Sequence, residues 1–234
     1  MALSRGKGSL TVAIDGPAAA GKSTVSRAAA ERLGLTYVDT GAMYRALTLR
    51  GLRTGVDPED ARALADLAST MEIRFEPAAR PGGTQRVFLD GEDVTREIRT
   101  REVDVAVSPV SRHAEVRERF RDLQRRMALG GGVVMEGRDI GSVVLPDADI
   151  KIYLDAEFDC RVCRRYREFS AKGYRPRKEE VRRDMACRDL LDSSRQTAPL
   201  TVARGAIRID TTHMTLEEVV NAVVKVCQER GVRS

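Results

Sequence analysis

Residues Gly16-Pro-Ala-Ala-Ala-Gly-Lys-Ser23 fit the pattern G-x-x-x-x-G-K-[ST], and the segments on either side dictate what must surround them. An apolar run from Leu10 to Ile14 leads into Asp15. A stretch of helix formers from Val25 to Leu33 follows and stops at Gly34. Strand, glycine loop and helix in this order form a phosphate-binding loop. Backbone N–H groups and the helix N-terminus surround polyphosphate oxygens, the Lys22 ammonium reaches the β and γ phosphates, and the Ser23 hydroxyl binds Mg²⁺. An ordinary glycine turn requires neither flank. The loop therefore predicts nucleoside triphosphate binding inside a parallel α/β fold.

Further apolar runs fit that expectation. Candidate buried strands lie at 10–15, 36–39, 133–135, 150–154 and 206–210, separated by helical segments. Such alternation predicts a five-stranded parallel sheet with helices on both faces. Thr215 and Glu218 form a capping box for the last helix, which carries Val219, Val220, Val223, Val224 and Cys227 at core-facing spacing. A chain of 234 residues, 42% hydrophobic but with no Trp and only 4% aromatics, suits one α/β core with insertions and an aliphatic interior. Two stretches interrupt the alternation. Residues 72–94, with a Pro/Gly turn at 77–83, read as a small antiparallel β insertion. Residues 159–188 hold nine arginines, and Gly173 and Pro176 divide them into two helices joined by a loop.

The net charge of +5 favours polyanionic ligands without choosing among them. Cys160, Cys163, Cys187 and Cys227 lack the rhythm of a disulfide framework, and the single C-x-x-C at 160–163 has no second pair to complete a zinc site. No signal-like or membrane-spanning apolar stretch is present, so a soluble cytoplasmic protein with reduced thiols is expected, with residues 1–9 as a flexible tail.

The segment at 133–135 runs into Glu136-Gly-Arg-Asp-Ile-Gly141. Glu136 is therefore placed to support Mg²⁺ from the strand beside the glycine loop, with Asp15 and Asp139 as competitors. Asp39-Thr-Gly-Ala-Met-Tyr-Arg45 follows the second strand and enters a helix, offering N–H groups together with Tyr44 and Arg45 to an anion. The two histidines, His113 and His213, stand outside every motif. Phosphorylating an alcohol needs a positioned base. Phosphorylating a phosphate monoester does not, because a second pKa near 6 leaves the acceptor largely dianionic. Its difficulty is charge repulsion, which arginines relieve, and Arg45, Arg138, Arg188 and Arg195 supply them.

Taken in order, Ile14–Thr24, Asp39–Arg45, Phe88–Thr95 with Glu97-Ile-Arg99, Glu136–Gly141 and Arg188 through Arg195–Leu200 resemble the bacterial cytidylate (CMP/dCMP) kinases, a nucleoside monophosphate kinase family. The likeness spans residue 10 to the C-terminus. It implies a P-loop kinase fold with a core of 10–40, 103–158 and 186–234, a monophosphate-binding region at 41–102 with its β insertion, and a helical lid at 159–185. It also implies transfer of the γ-phosphoryl of ATP to CMP or dCMP in pyrimidine nucleotide metabolism, by a phosphotransferase with a phosphate-group acceptor. ATP would be met by Gly16, Pro17, Ala18, Ala19, Ala20, Gly21, Lys22, Ser23 and Thr24, with Arg164 from the lid. CMP would be met by Thr40, Tyr44, Arg45, Ser108, Arg117, Arg138, Asp139, Arg188, Asp192 and Arg195. Of these, Ser108, Arg117 and Asp139 would read the cytosine and Asp192 the sugar. Lys22, Arg138, Arg188 and Arg195 would act in catalysis, with Ser23 on Mg²⁺. Thr40 stands where serine is familiar in the family, which keeps the hydroxyl.

The expected partners are ATP and CMP or dCMP, with no nucleic acid or membrane, acting on a monomer. Adenylate, guanylate, shikimate or dephospho-coenzyme A kinases would share the core but not the ordered motifs. A GTP-dependent switch would need an Asn-Lys-x-Asp motif, which is absent. A nucleic-acid binder would interleave stacking aromatics among the arginines of 159–188.

Overall fold

A strand buried on both faces needs apolar residues without alternation. Thr11–Asp15 (β1) and Val133–Glu136 (β6) are buried throughout. The computed structural model describes residues 10–78, 80 and 83–231. The tail expected at 1–9 lies outside them, as do residues 79, 81 and 82 of the Pro/Gly turn. The chain forms two compact units, one taking the chain up to Tyr37 and from Gly130 onward, the other Val38–Leu129.

In the first unit β1 is followed by α1 (Lys22–Leu33) and β2 (Thr36–Asp39), whose end passes into the second unit. The chain returns as β6, β7 (Ile150–Asp155), α6 (Phe158–Ala171), α7 (Lys178–Ser194), β8 (Ile207–Asp210) and α8 (Leu216–Gly231). The five strands lie in the order β2-β6-β1-β7-β8. β1 pairs in parallel with β6 (Ile14 opposite Glu136) and β7 (Asp15 opposite Tyr153), and β7 with β8. All five end on a carboxylate: Asp15, Asp39, Glu136, Asp155 and Asp210. Carboxyl ends of parallel strands are where α/β folds gather ligands.

Val25, Ala29 and Ala30 of α1 and Val219, Val220, Val223 and Cys227 of α8 pack with the β-strand residues Val12, Ile14, Val134, Ile152 and Leu154 in an aliphatic core. The capping box forms: Thr215 N donates to Glu218 Oε2 at 2.7 Å while Glu218 N donates to Thr215 Oγ1. The arginine-rich stretch is a two-helix hairpin, α6 and α7, closed by Val162, Phe169, Val181 and Met185, with Gly173 at φ +83 between the helices. All four cysteines are free thiols.

The second unit holds α2 (Thr40–Thr54), α3 (Ala61–Thr70), the strands β3 (Ile73–Glu76), β4 (Arg86–Leu89) and β5 (Glu92–Asp93), and α4 (Arg101–Arg112) and α5 (Ala114–Met127). The three strands form the expected antiparallel insertion. α4 and α5, which the sequence reading grouped with the core, belong to this unit, where Val107, Val110, Val116 and Phe120 pack with Met43, Leu47 and Leu64.

Candidate active site

The loop after β1 depends on glycine at both ends. A Cβ on Gly16 would sit 2.0 Å from the Leu154 carbonyl oxygen, so no side chain fits beside β7. Gly21, at φ +94, is the N-cap of α1 and has no side chain to engage the first-turn N–H groups. That end of the helix presents donors and a positive dipole, the requirement for binding phosphate. Ala19 adopts φ +59 between the two glycines. Lys22 folds back so that its Nζ donates to the Pro17 carbonyl at 2.7 Å. Burial holds the Lys22 ammonium well below its usual pKa; Arg138 and Arg188 push the same way, and Glu136 and Asp192 oppose them. Ser23 follows half-buried, and Thr24 is exposed.

The acids divide into separate roles. Asp15 is buried, and its oxygens accept from Ile140 N at 2.8 Å and Gly141 N at 2.7 Å. These bonds hold the wide turn of Ile140–Val144 that follows the Glu136–Asp139 segment. Burial pushes the Asp15 carboxyl up to about 6, although the two amides pull it down. Glu136, at the end of β6, accepts a hydrogen bond from the Tyr37 hydroxyl.

A cationic cluster stands with Lys22. Arg138 Nε donates to Asp192 Oδ2 at 2.8 Å. Burial works against the Arg138 charge, but Asp192 leaves its pKa raised. Burial likewise works against the Asp192 carboxylate, yet Arg138 and Arg188 hold it below the usual carboxylate range. Arg195 sits 3.7 Å from both Asp139 Oδ1 and Asp192 Oδ1 and donates from Nε to Ala198 O at 2.6 Å. Thus Lys22, Glu136, Arg138, Asp139, Arg188, Asp192 and Arg195 form one network within the first unit. Arg164 lies elsewhere in that unit, donating to Thr211 Oγ1 at 2.9 Å and Thr211 O at 2.6 Å.

In the second unit Asp39 caps α2, accepting from Ala42 N at 3.0 Å and pairing with Arg99 at 3.1 Å. Thr40 opens the helix, buried. The Arg45 guanidinium pairs with Asp104 at 2.5 Å. The Tyr44 ring is buried edge-on to Phe120, at 4.9 Å, and Arg117 lies over it at 5.4 Å. Ser108 is buried on α4. Sequence reasoning missed Tyr37, Arg161 and Thr211. Each lacks a motif, and only the position of Thr211 just beyond a parallel strand signals it.

A family model described as cytidylate kinase matches residues 12–229. The cytidylate kinase of Geobacillus thermodenitrificans is 50% identical over 221 residues, covering 94% of this chain and 97% of that protein. That of Pelotomaculum thermopropionicum is 51% identical over 213 residues, covering 91% and 93%. Among solved structures, a shikimate kinase from Bacteroides thetaiotaomicron superposes with a TM-score of 0.50 at 13% identity, covering 94% of this chain and 99% of that one, a likeness of fold alone.

Proposed function

This chain belongs to the cytidylate kinase family, and from that membership we infer that it transfers the γ-phosphoryl group of ATP to CMP or dCMP, giving CDP or dCDP and ADP. The observation that carries this reading beyond a generic phosphate loop is the cationic cluster of Lys22, Arg138 and Arg188, interleaved with Glu136 and Asp192. Two polyanions must approach each other, and fixed positive groups lower that repulsion without reorganising during the reaction.

A phosphate oxygen of CMP attacks the γ-phosphorus, the bond from that phosphorus to the bridging oxygen breaks, and ADP leaves with the electron pair. The acceptor is already ionised near neutral pH, so no side chain needs to remove a proton. We assign Lys22, Arg138, Arg188 and Arg195 to the charge of the transferring and accepting phosphates. The N–H groups from Gly16 to Thr24 are assigned to ATP. Thr40, Tyr44, Arg45, Ser108, Arg117, Asp139 and Asp192 are assigned to CMP, with residues 41–102 as its binding region. Residues 159–185 serve as a lid, with Arg164 toward ATP.

Among the described residues no group of three or more His, Cys, Asp or Glu could hold a metal ion. A Mg²⁺ arriving on ATP needs only one or two protein oxygens. The Ser23 hydroxyl in the first turn of α1 and the buried Glu136 carboxylate fit that need. Bound there, the ion would neutralise charge on the β and γ oxygens. No helix among the described residues is long and apolar enough to cross a membrane. We assign the enzyme to the cytoplasm as a monomer without nucleic-acid or membrane partners, a placement that suits its free thiols. ADP release measured with CMP, dCMP, UMP, AMP and GMP tests the reading. Turnover led by CMP and dCMP is expected, and preference for a purine monophosphate would overturn it.

A further inference from the structure

Two arginines of α6, three residues apart and therefore on one face of the helix, engage the glycine loop, one directly and one by way of Thr211. Arg161 is buried. Its Nη1 donates to the Ala18 carbonyl at 3.3 Å and to Asp189 Oδ2 of α7 at 2.6 Å, and its Nε to Ala156 O at 3.0 Å. Arg164 reaches the loop through an intermediary. It donates to the hydroxyl and carbonyl of buried Thr211, and that hydroxyl lies 3.3 Å from Ala20 O and 3.0 Å from Asp155 O. Between these two carbonyls, Ala19 packs against the apolar cluster of the α6–α7 hairpin.

In a trans peptide the C=O and the following N–H point in opposite directions. Drawing the Ala18 and Ala20 carbonyls outward therefore turns the N–H groups of Ala19 and Gly21 the other way, toward the concave side where an anion gathers donors. The left-handed backbone of Ala19, φ +59, is the alternation such an anion-binding nest requires, and alanine adopts it against its own preference. Something outside the loop must hold it there, and the hairpin supplies the contacts.

We propose that Arg161, and Thr211 held in place by Arg164, are positioning residues that set the glycine-loop peptides for ATP, so that the arginine hairpin governs triphosphate affinity through the loop in addition to the contact of Arg164 with ATP. The proposal rests on the reading of residues 16–23 as the ATP phosphate site. It separates these two arginines from Arg165, Arg177 and Arg182, which pair with Glu168, Glu180 and Asp159.

Thr211→Val removes the hydroxyl at nearly constant volume, Thr211→Ser restores it, and Arg161→Lys keeps the charge but loses the fork. ATP and CMP affinities are measured separately by calorimetry, with Lys22→Ala in the same series. Thr211→Val and Arg161→Lys should each weaken ATP about tenfold, the worth of roughly one hydrogen bond. CMP affinity should stay within about twofold, and Thr211→Ser should bind ATP as the wild type does. Equal losses for both nucleotides, or failure of Thr211→Ser to restore ATP affinity, would reduce the contacts to general support and overturn the proposal. If Lys22→Ala weakens ATP but Thr211→Val does not, the proposal falls and the phosphate-loop reading stands. If neither does, the reading falls and takes the proposal with it. Should Arg161→Lys fail to fold, the valine and serine pair decides.

Discussion

Replacing Asp15 by asparagine separates the two things this residue does at the base of the site. Its carboxylate holds the turn after β6, accepting from Ile140 N and Gly141 N at 2.8 and 2.7 Å, and it does so from full burial. Burial pushes the carboxyl from an ordinary 3.8 up to about 6, with the two amides opposing. The folded protein thus keeps a proton that the unfolded chain has already released. The stability linked to that proton is fully present below about 3.8 and is lost as the pH rises through about 6. At about 1.36 kcal/mol per pH unit, a displacement of about two units amounts to ~3 kcal/mol. Asparagine does not titrate. The stability of the wild type minus that of Asp15→Asn should therefore fall by about 3 kcal/mol from pH 4 to pH 7.5. Carboxylates held low by arginines, such as Asp192, work in the opposite direction but cancel in the difference. Independently of pH, the asparagine nitrogen would face an N–H that now donates to oxygen, a buried mismatch of about 1–3 kcal/mol. Urea unfolding of both proteins across that range, without nucleotide or Mg²⁺, measures the two effects. Stability curves that run parallel with pH would refute the coupling of this proton to folding.

Lys22→Ala should lower kcat by roughly a hundredfold or more with little change in Tm, because it removes transition-state charge rather than packing; near-normal turnover would sink the site assignment. Gly16→Ala forces a Cβ to 2.0 Å from the Leu154 oxygen, backbone against backbone, and should cost about 3 kcal/mol or more, lowering Tm by roughly 6–12 °C; a Tm within about 2 °C of wild type would show that the two strands part easily. CMP offers an amine donor at position 4 where UMP offers a carbonyl, so an accepting Asp139 predicts that Asp139→Ala narrows the CMP-to-UMP ratio of kcat/KM by about tenfold or more. Loss in equal proportion for both would leave Asp139 as a partner of Arg195, 3.7 Å away, rather than a reader of the base.

The parts legible in the sequence are those whose signal is local. β1, the glycine loop and α1 follow from an apolar run, two glycines with positive φ and a stretch of helix formers, all within 24 residues, Leu10–Leu33. The Thr215–Glu218 capping box and the β3–β5 insertion are equally local. The partnership of α4 and α5 was not legible, because Val103, Val107 and Val110 define an apolar stripe without saying which surface it meets. The nine arginines of 159–188 look alike as letters. Only the fold separates buried Arg161 from a surface-paired residue such as Arg182. Thr211 carries no motif, and its hydroxyl matters because β8 ends beside β7 and the loop carbonyl of Ala20.

The electrostatics of the first unit also explain why acids belong in a site for polyanions. Arg138 and Arg188 both work against the charge of Lys22, and burial opposes the charges of Lys22 and Arg138. Glu136 and Asp192 offset part of that cost to the Lys22 ammonium, and the Pro17 carbonyl accepts a hydrogen bond from its Nζ. On the proposed reading, phosphate oxygens would let Lys22 exchange a neutral carbonyl for an anion and would give Arg138 and Arg188 a further negative partner beside Asp192. The carboxylates therefore hold the cations in place without saturating them. Removing Asp192 would leave like charges buried together, so its loss should disturb the positions of Arg138 and Arg195 as well as any contact it makes with the sugar.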